Sequence, residues 1–336
     1  MDASIGYGHF SRCLSMIATQ KAKGYRCVYA CRNANAHERQ QIAFYGGDIL
    51  LLGERAFVAN ALIEAFPQGV DGVVIDSYLT GIEYERELFG WSRVLCVIDD
   101  LANRKHKANF LVDSTFGRSA GEYRGLVESD CRLLIGSDYV LLRPEFIESR
   151  KRVMPARRKV KYIPNVLLSI GATDPGNFSE KLIRALKGFT SEFELDVVLS
   201  SRGSSLERIR NLLGRMSTCN IKLHIDLNAH QLCDLINKSH CAIAAGGVSA
   251  WERACLGLPS LVVEVNESQR DLIAGLERCG AVKRFKSIYG DDYSAIRDEF
   301  TDFVENRTLL NRMSRDAQKI SSGKGAELVC SALTSG

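Results

Sequence analysis

The sequence predicts an α/β fold of two domains, each a parallel β-sheet covered on both faces by helices. Three observations predict it. Short apolar runs alternate with helical patterns along the chain, as expected of a parallel sheet buried on both sides. A glycine-rich turn leads into a helix twice, at Gly6-Tyr7-Gly8-His9 and at Gly246-Gly247. A basic, proline-containing stretch from Ser149 to Lys161 divides the two series of runs. At 336 residues the chain is long enough for two medium-sized domains.

In chain order, Phe10 to Ala18 carries one apolar helical face, formed by Phe10, Cys13, Leu14, Ile17 and Ala18. Strands are predicted at 26–31 and 48–52, with a helix over 57–66. Gly72 to Asp76, Val94 to Asp100 and Phe110 to Asp113 are apolar runs that each end in an acid, and such strand ends are where α/β sheets bind ligands. Residues 151–162 read as a basic linker between domains at 1–150 and 163–336. After it, strands are expected at 166–170, 195–199, 221–225, 241–245 and 260–263. Helices are expected at 178–187, 206–216, 229–237, 248–256 and 269–278, with a helical tail over 294–321.

Composition narrows the function classes. Hydrophobic residues make up 46% and charged residues 25%, an ordinary globular balance. A net charge of +4 is too mild to argue for nucleic acid. No apolar stretch reaches the length of a membrane span, and the start lacks a secretory pattern, so a cytoplasmic protein is expected. The eleven cysteines include no CxxC pair and no zinc spacing. Cys27, Cys31, Cys96 and Cys241 lie in apolar runs and read as buried core residues.

The candidate chemistry sits in the two glycine turns. His9 falls where a turn becomes a helix N-terminus, an end that suits anions. A histidine there changes protonation near neutral pH, although an ordinary turn with a surface histidine gives the same pattern. In the second half, backbone N–H groups at Gly246 and Gly247 are placed to hold a diphosphate. Ser249 adds a hydroxyl, and Glu252 is one turn further on, where a carboxylate can accept both hydroxyls of a ribose. The alternative is a plain helix start with a favourable acid in its first turn. Gly171-Ala172-Thr173-Asp174 is a second short loop after a strand.

Taken together, the blocks Asp2-Ala3-Ser4, Gly6-Tyr7-Gly8-His9, Arg12 and Asp76-Ser77-Tyr78 resemble the UDP-sugar hydrolases of pseudaminic acid biosynthesis. So do Ile98 to Arg104, Leu134 to Phe146, Ser169 to Asn177 and Ala245 to Arg253. These enzymes act on UDP-2,4-diacetamido-2,4,6-trideoxy-β-L-altropyranose. They are related to MurG-type glycosyltransferases of the GT-B class, with two Rossmann-like domains. The resemblance runs, in order, over nearly the whole chain.

It implies a UDP-sugar hydrolase with His9 as general base and with Gly246, Gly247 and Glu252 binding UDP. Gly6, Gly8, Arg12, Asp76, Tyr78 and Arg143 are candidates for holding the sugar or orienting His9. Gly171, Thr173 and Ser249 complete the expected substrate contacts. The implied scheme needs no cofactor and no metal, and it fits a monomer whose partner is a UDP-sugar rather than nucleic acid.

Three departures stand out. Where the family has Asn-Gln, this chain has Ser268-Gln269, with Asn266 two residues earlier as a substitute. Where the family has Gly-Gly, it has Gly171-Ala172. No apolar strand precedes Asp2, so the first strand, normally central in such a sheet, is expected to be missing. A UDP-sugar glycosyltransferase and a non-catalytic nucleotide-sugar-binding protein are the alternative functions.

Overall fold

A computed structural model describes residues 7–153, 164–171, 174–186, 193–201, 203, 205–215 and 220–335. The chain divides into two compact units, Met1–Pro144 with Gly323–Gly336, and Glu145–Ser322. Most of the basic stretch, 154–163, lies outside the described residues, as do Gly6 and Thr173. No described helix is long and apolar enough to cross a membrane.

The first unit runs α1 (Tyr7–Ala22), β1 (Cys27–Cys31), α2 (Ala36–Phe44), β2 (Gly47–Leu51), α3 (Ala59–Ala65), β3 (Val70–Ile75), α4 (Ile82–Phe89), β4 (Ser92–Ile98), β5 (Phe110–Asp113) and β6 (Arg132–Ile135). All pairs are parallel, but they form two sheets, β1-β2 and β3-β4-β5-β6. Among the described residues no strand precedes α1 and none joins the two sheets. Helix α1 spans both. Its Phe10, Leu14 and Ile17 pack with Ile42, Tyr45, Tyr29 and Ile49, while Met16 packs with Val94, Cys96 and Phe110. Among the described residues strand β3 pairs with β4 alone and is less covered than its apolar sequence suggests, with Val74 37% exposed. For a similar reason Cys27, on β1, is only half-buried, whereas Cys31, Cys96 and Cys241 are buried.

Two helices absent from the sequence reading begin or end at strong local signals. Helix α2 starts at a capping box, in which the Asn35 side chain accepts from Glu38 N and Glu38 accepts from Asn35 N. Helix α5 (Pro144–Val153) carries the start of the basic stretch, so Lys151 and Arg152 lie in a last helical turn, where cations complement the helix dipole. The predicted helix at 57–66 is split into a 3₁₀ turn at Gly53–Phe57 and α3.

The second unit holds β7 (Asn165–Ser169), α6 (Phe178–Ala185), β8 (Glu194–Leu199), α7 (Leu206–Gly214), β9 (Ile221–Ile225), α8 (Ala229–Lys238), β10 (Cys241–Ala245), α9 (Ser249–Cys255), β11 (Ser260–Val263), α10 (Arg270–Arg278) and β12 (Val282–Arg284). Its six-stranded parallel sheet has the order β12-β11-β10-β7-β8-β9. From β7 the chain winds one way through β8 and β9, then returns to place β10 on the other side of β7. This makes β7/β10 the topological switch point, the place where an open parallel sheet binds ligands at its carboxyl edge. Helices α11 (Tyr293–Glu305) and α12 (Arg307–Ile320) follow, divided at Asn306, whose side chain accepts from Leu309 N and caps α12.

The last helix, α13 (Gly325–Ser335), belongs to the first unit. Ala326, Val329 and Cys330 enter the same core as Met16, Phe110 and Leu141. Gly325 permits the approach, because a Cβ there would overlap the backbone of Tyr139 and Val140.

Candidate functional site

In the first unit, the first turn of α1 and the loops after β3 and β4 converge. Arg12 holds Asp76 with two bonds, Nε to Oδ2 at 2.9 Å and Nη2 to Oδ1 at 2.7 Å, the fork geometry that suits a guanidinium and a carboxylate. Its third nitrogen donates to Asp100 Oδ2 at 3.1 Å. Tyr78 donates to the other oxygen of Asp100 at 2.5 Å, and its ring meets His9 edge to face with centroids 4.7 Å apart. Burial alone would push the Asp76 carboxyl up. Arg12 and His9 outweigh it and hold Asp76 below the usual carboxylate range. Burial and Asp100 raise the Tyr78 phenol, which stays protonated and a donor.

His9 Nδ1 lies 2.6 Å from Asp76 Oδ1 and 2.9 Å from Arg12 Nη2. The shorter contact, to an anion, assigns Nδ1 as the donor. The neutral imidazole then carries its lone pair on Nε2, so this nitrogen can take a proton while Asp76 stabilises the cation that forms. The side chain of Asp76 is 1% exposed and that of His9 12%, so the anchor is buried while the ring retains access to solvent.

The structure thus brings together His9, Arg12, Asp76 and Tyr78 and adds Asp100, which the sequence reading did not single out. The signal was present, since Asp100 ends an apolar run just as Asp76 does. Gly8 sits beside His9 in the first turn of α1, and Arg143 is buried immediately ahead of α5.

Behind this group lies a second, buried polar network. Glu85, from α4, bonds His106 Nδ1 at 2.8 Å and accepts from Lys107 N. Tyr123 Oη lies 2.9 Å from Asp99 and 2.8 Å from Asp113. Arg118 donates to Asp113 and to the Asp100 carbonyl oxygen, which ties the network to the loop that carries Asp100. Burial alone would lower the His106 pKa; Asp99 and Glu85 reverse this and raise it to about 9. A raised histidine stabilises the fold fully below its unfolded value of 6.5, and this contribution is lost as pH rises through about 9. Unfolding free energy should therefore fall between these pH values, and less steeply in His106→Gln. Urea titrations of both proteins across the range check this, and parallel profiles would remove His106 as the cause.

In the second unit, the loops after β7, β10 and β11 surround the switch point. Gly171, two residues past β7, has φ 93°, in the left-handed region. Asp174 is buried, and its two oxygens accept from Phe178 N and Ser179 N at 2.9 and 3.0 Å. The first amides of α6 are therefore already occupied by a carboxylate.

Among the described residues the turn after β10 has no such side-chain cap. Gly246 is required by packing, because a Cβ would overlap Ile273 of α10. Gly246→Ala should cost about 1–3 kcal/mol through overpacking, measured by urea unfolding; an unchanged midpoint would show that α10 yields. Gly247 is open, and a Cβ there would lie 3.6 Å from Gln269 Nε2, so Gln269 borders the turn. Ser249 begins α9, Glu252 is buried within it, and Asn266 is exposed ahead of the 3₁₀ turn that contains Ser268 and Gln269. Nothing is described of the Ser268 side chain. Among the described residues no cluster of three or more His, Cys, Asp or Glu could hold a metal ion.

No protein-family model matches the chain. It is 27% identical over 272 residues to the uncharacterized protein MJ1062 of Methanocaldococcus jannaschii, covering 80% of this chain and 55% of that protein. It is 24% identical over 194 residues to the spore coat polysaccharide biosynthesis protein SpsG of Bacillus subtilis, covering 57% and 51%. The chain thus spans about half the length of these two relatives. A third, at 24% over 242 residues, covers 71% of this chain and 80% of the UDP-2,4-diacetamido-2,4,6-trideoxy-β-L-altropyranose hydrolase of Campylobacter jejuni.

Among solved structures it is similar to MurG of Acinetobacter baumannii, with TM-score 0.65, 15% identity and coverage of 98% and 96%. It is also similar to the UDP-GlcNAc 2-epimerase of Neisseria meningitidis bound to UDP-GlcNAc, with TM-score 0.68, 13% identity and coverage of 96% and 97%. The chain has the GT-B fold of two Rossmann-like domains. By sequence it is a distant relative of SpsG and of the hydrolase.

Proposed function

We propose that this chain is a hydrolase that releases UDP from a UDP-linked 2,4-diacetamido-2,4,6-trideoxy hexose. The observation that carries the reading is the imidazole of His9, oriented by a buried carboxylate that Arg12 grips with two bonds. The 24% identity to the Campylobacter hydrolase over 71% of the chain supports the substrate class.

In the proposed step, water attacks the anomeric carbon as the bond from that carbon to the diphosphate oxygen breaks. His9 Nε2 takes the proton of the water, and UDP leaves with the bonding electron pair. A single displacement inverts the anomeric configuration. UDP departs as an anion, so no group need protonate it. The Gly246-Gly247 turn, Ser249 and Glu252 are assigned to UDP, with backbone N–H groups stabilising charge on the diphosphate. Tyr78 and Arg143 are assigned to the sugar. Gln269 borders the turn and is assigned there, with Asn266 and Ser268 from the same loop.

The test is incubation with candidate UDP-diacetamido sugars, with and without sugar acceptors, following UDP and identifying the sugar formed. The expected result is UDP release in water alone, at a rate no acceptor changes, with the free inverted sugar as product. Acceptor-dependent release would make the protein a transferase. Interconversion of UDP-sugars without UDP release would make it an epimerase, and UDP binding without turnover a non-catalytic binding protein.

A further inference from the structure

The second unit buries a cation that the proposed chemistry has not used. Arg253, on α9, is 2% exposed. Its Nη2 donates to the carbonyl oxygen of Ala245, the last residue of β10, at 2.7 Å. Its Nη1 donates to Ser249 Oγ at 3.0 Å, and its Nε to Ser260 Oγ, at the start of β11, at 3.1 Å. These three oxygens bracket the turn Gly246-Gly247-Val248 on its strand side, on its helix side and from the neighbouring strand. All three are neutral, and among the described residues no carboxylate forms an ion pair with Arg253. Burying a charge without a counter-ion is costly. Burial accordingly lowers its pKa to about 10, against a smaller opposing effect of Glu252.

We propose that Arg253 is the positioning residue of the glycine turn and that its unneutralised charge draws the diphosphate to it. The inference rests on reading this turn as the nucleotide site. Two consequences distinguish it from a simple structural arginine. Because Ser249 Oγ accepts from Arg253, the serine hydrogen is directed elsewhere and remains available to donate to a ligand oxygen. A bound dianion would also supply the missing counter-charge, so the buried cation favours anion binding even without touching the ligand.

The experiment measures binding of UDP, of uridine and of inorganic pyrophosphate by calorimetry at two ionic strengths. Wild type, Arg253→Gln and Arg253→Lys are compared, with folding checked by circular dichroism. Arg253→Gln should weaken UDP and pyrophosphate about tenfold or more, flatten the salt dependence of both, and leave uridine unchanged. Arg253→Lys keeps the charge but not the three-way grip. It should weaken UDP by about threefold and keep the wild-type salt dependence.

Equal losses for UDP and uridine in Arg253→Gln, or unchanged UDP affinity in either folded variant, would overturn the proposal. If Arg253→Gln does not fold, Arg253→Lys decides alone, by the UDP-to-uridine ratio. Wild type that binds pyrophosphate but not UDP would remove the nucleotide reading while leaving the anion role of Arg253 in place. Wild type that binds neither would remove both.

Discussion

With His9 as the proposed base, replacing it by glutamine should lower turnover by about 10²- to 10⁴-fold, the usual contribution of a positioned base, and leave UDP affinity unchanged. Glutamine has similar bulk and can still donate an amide N–H toward Asp76, so the polar group around Arg12 survives. What it lacks is a basic nitrogen. The loss therefore falls on kcat and not on binding, because the turn assigned to UDP lies in the other unit. Stability should change little, since no buried charge loses its partner. Single-turnover kinetics with UDP calorimetry make the check. Near-normal turnover in a folded variant removes His9 as the base.

Asp76→Asn has two large effects where His9→Gln has one. Asp76 is the main counter-ion of Arg12, whose other carboxylate, Asp100, is partly exposed. Removing one partner of a buried ion pair costs about 3–5 kcal/mol. The substitution also removes the anion that fixes the His9 tautomer and stabilises the imidazolium, so turnover should fall by at least as much as in His9→Gln. Unfolding in urea and kcat measured on the folded fraction separate the two effects. A stability loss below about 1 kcal/mol would show that Asp100 suffices to hold Arg12. Arg12→Lys should not rescue a site built on two parallel bonds, because an ammonium cannot form the fork.

Much of the architecture was legible because parallel strands buried on both faces must be apolar throughout. Val94 to Ile98 and Cys241 to Ala245 could be little else, and the acids that close such runs located Asp76. Helices were missed where their apolar face is thin or interrupted by charge, as in α4, Ile82–Phe89, with four charged residues in eight. The membership of α13 carries no local signal. Its partner Met16 lies 314 residues from Cys330, and only tertiary packing joins them.

The same limit applies to the site. Each of His9, Arg12, Asp76 and Tyr78 could be named from a motif. That Arg12 grips Asp76 with two bonds could not, because 64 residues separate them. The network of Glu85, His106 and Tyr123 assembles from α4 and the segments after β4 and β5, none of which is unusual as sequence. Asp174 shows the opposite case, a motif residue whose oxygens prove to be spent on capping α6.

The placement of α13 also sets an order of events during synthesis. The first unit needs Ala326, Val329 and Cys330 to close its core, and these leave the ribosome only after the whole of Glu145–Ser322. The second unit is contiguous and can fold as soon as it emerges. The first must wait with the Met16 side of α1 uncovered, and then close a loop that spans the entire second unit. Loop closure grows only slowly more costly with length, so the final state loses little stability. The delay is kinetic. It leaves an apolar surface exposed in the nascent chain for as long as synthesis takes, which makes the half-made first unit the species most open to aggregation or to capture by a chaperone.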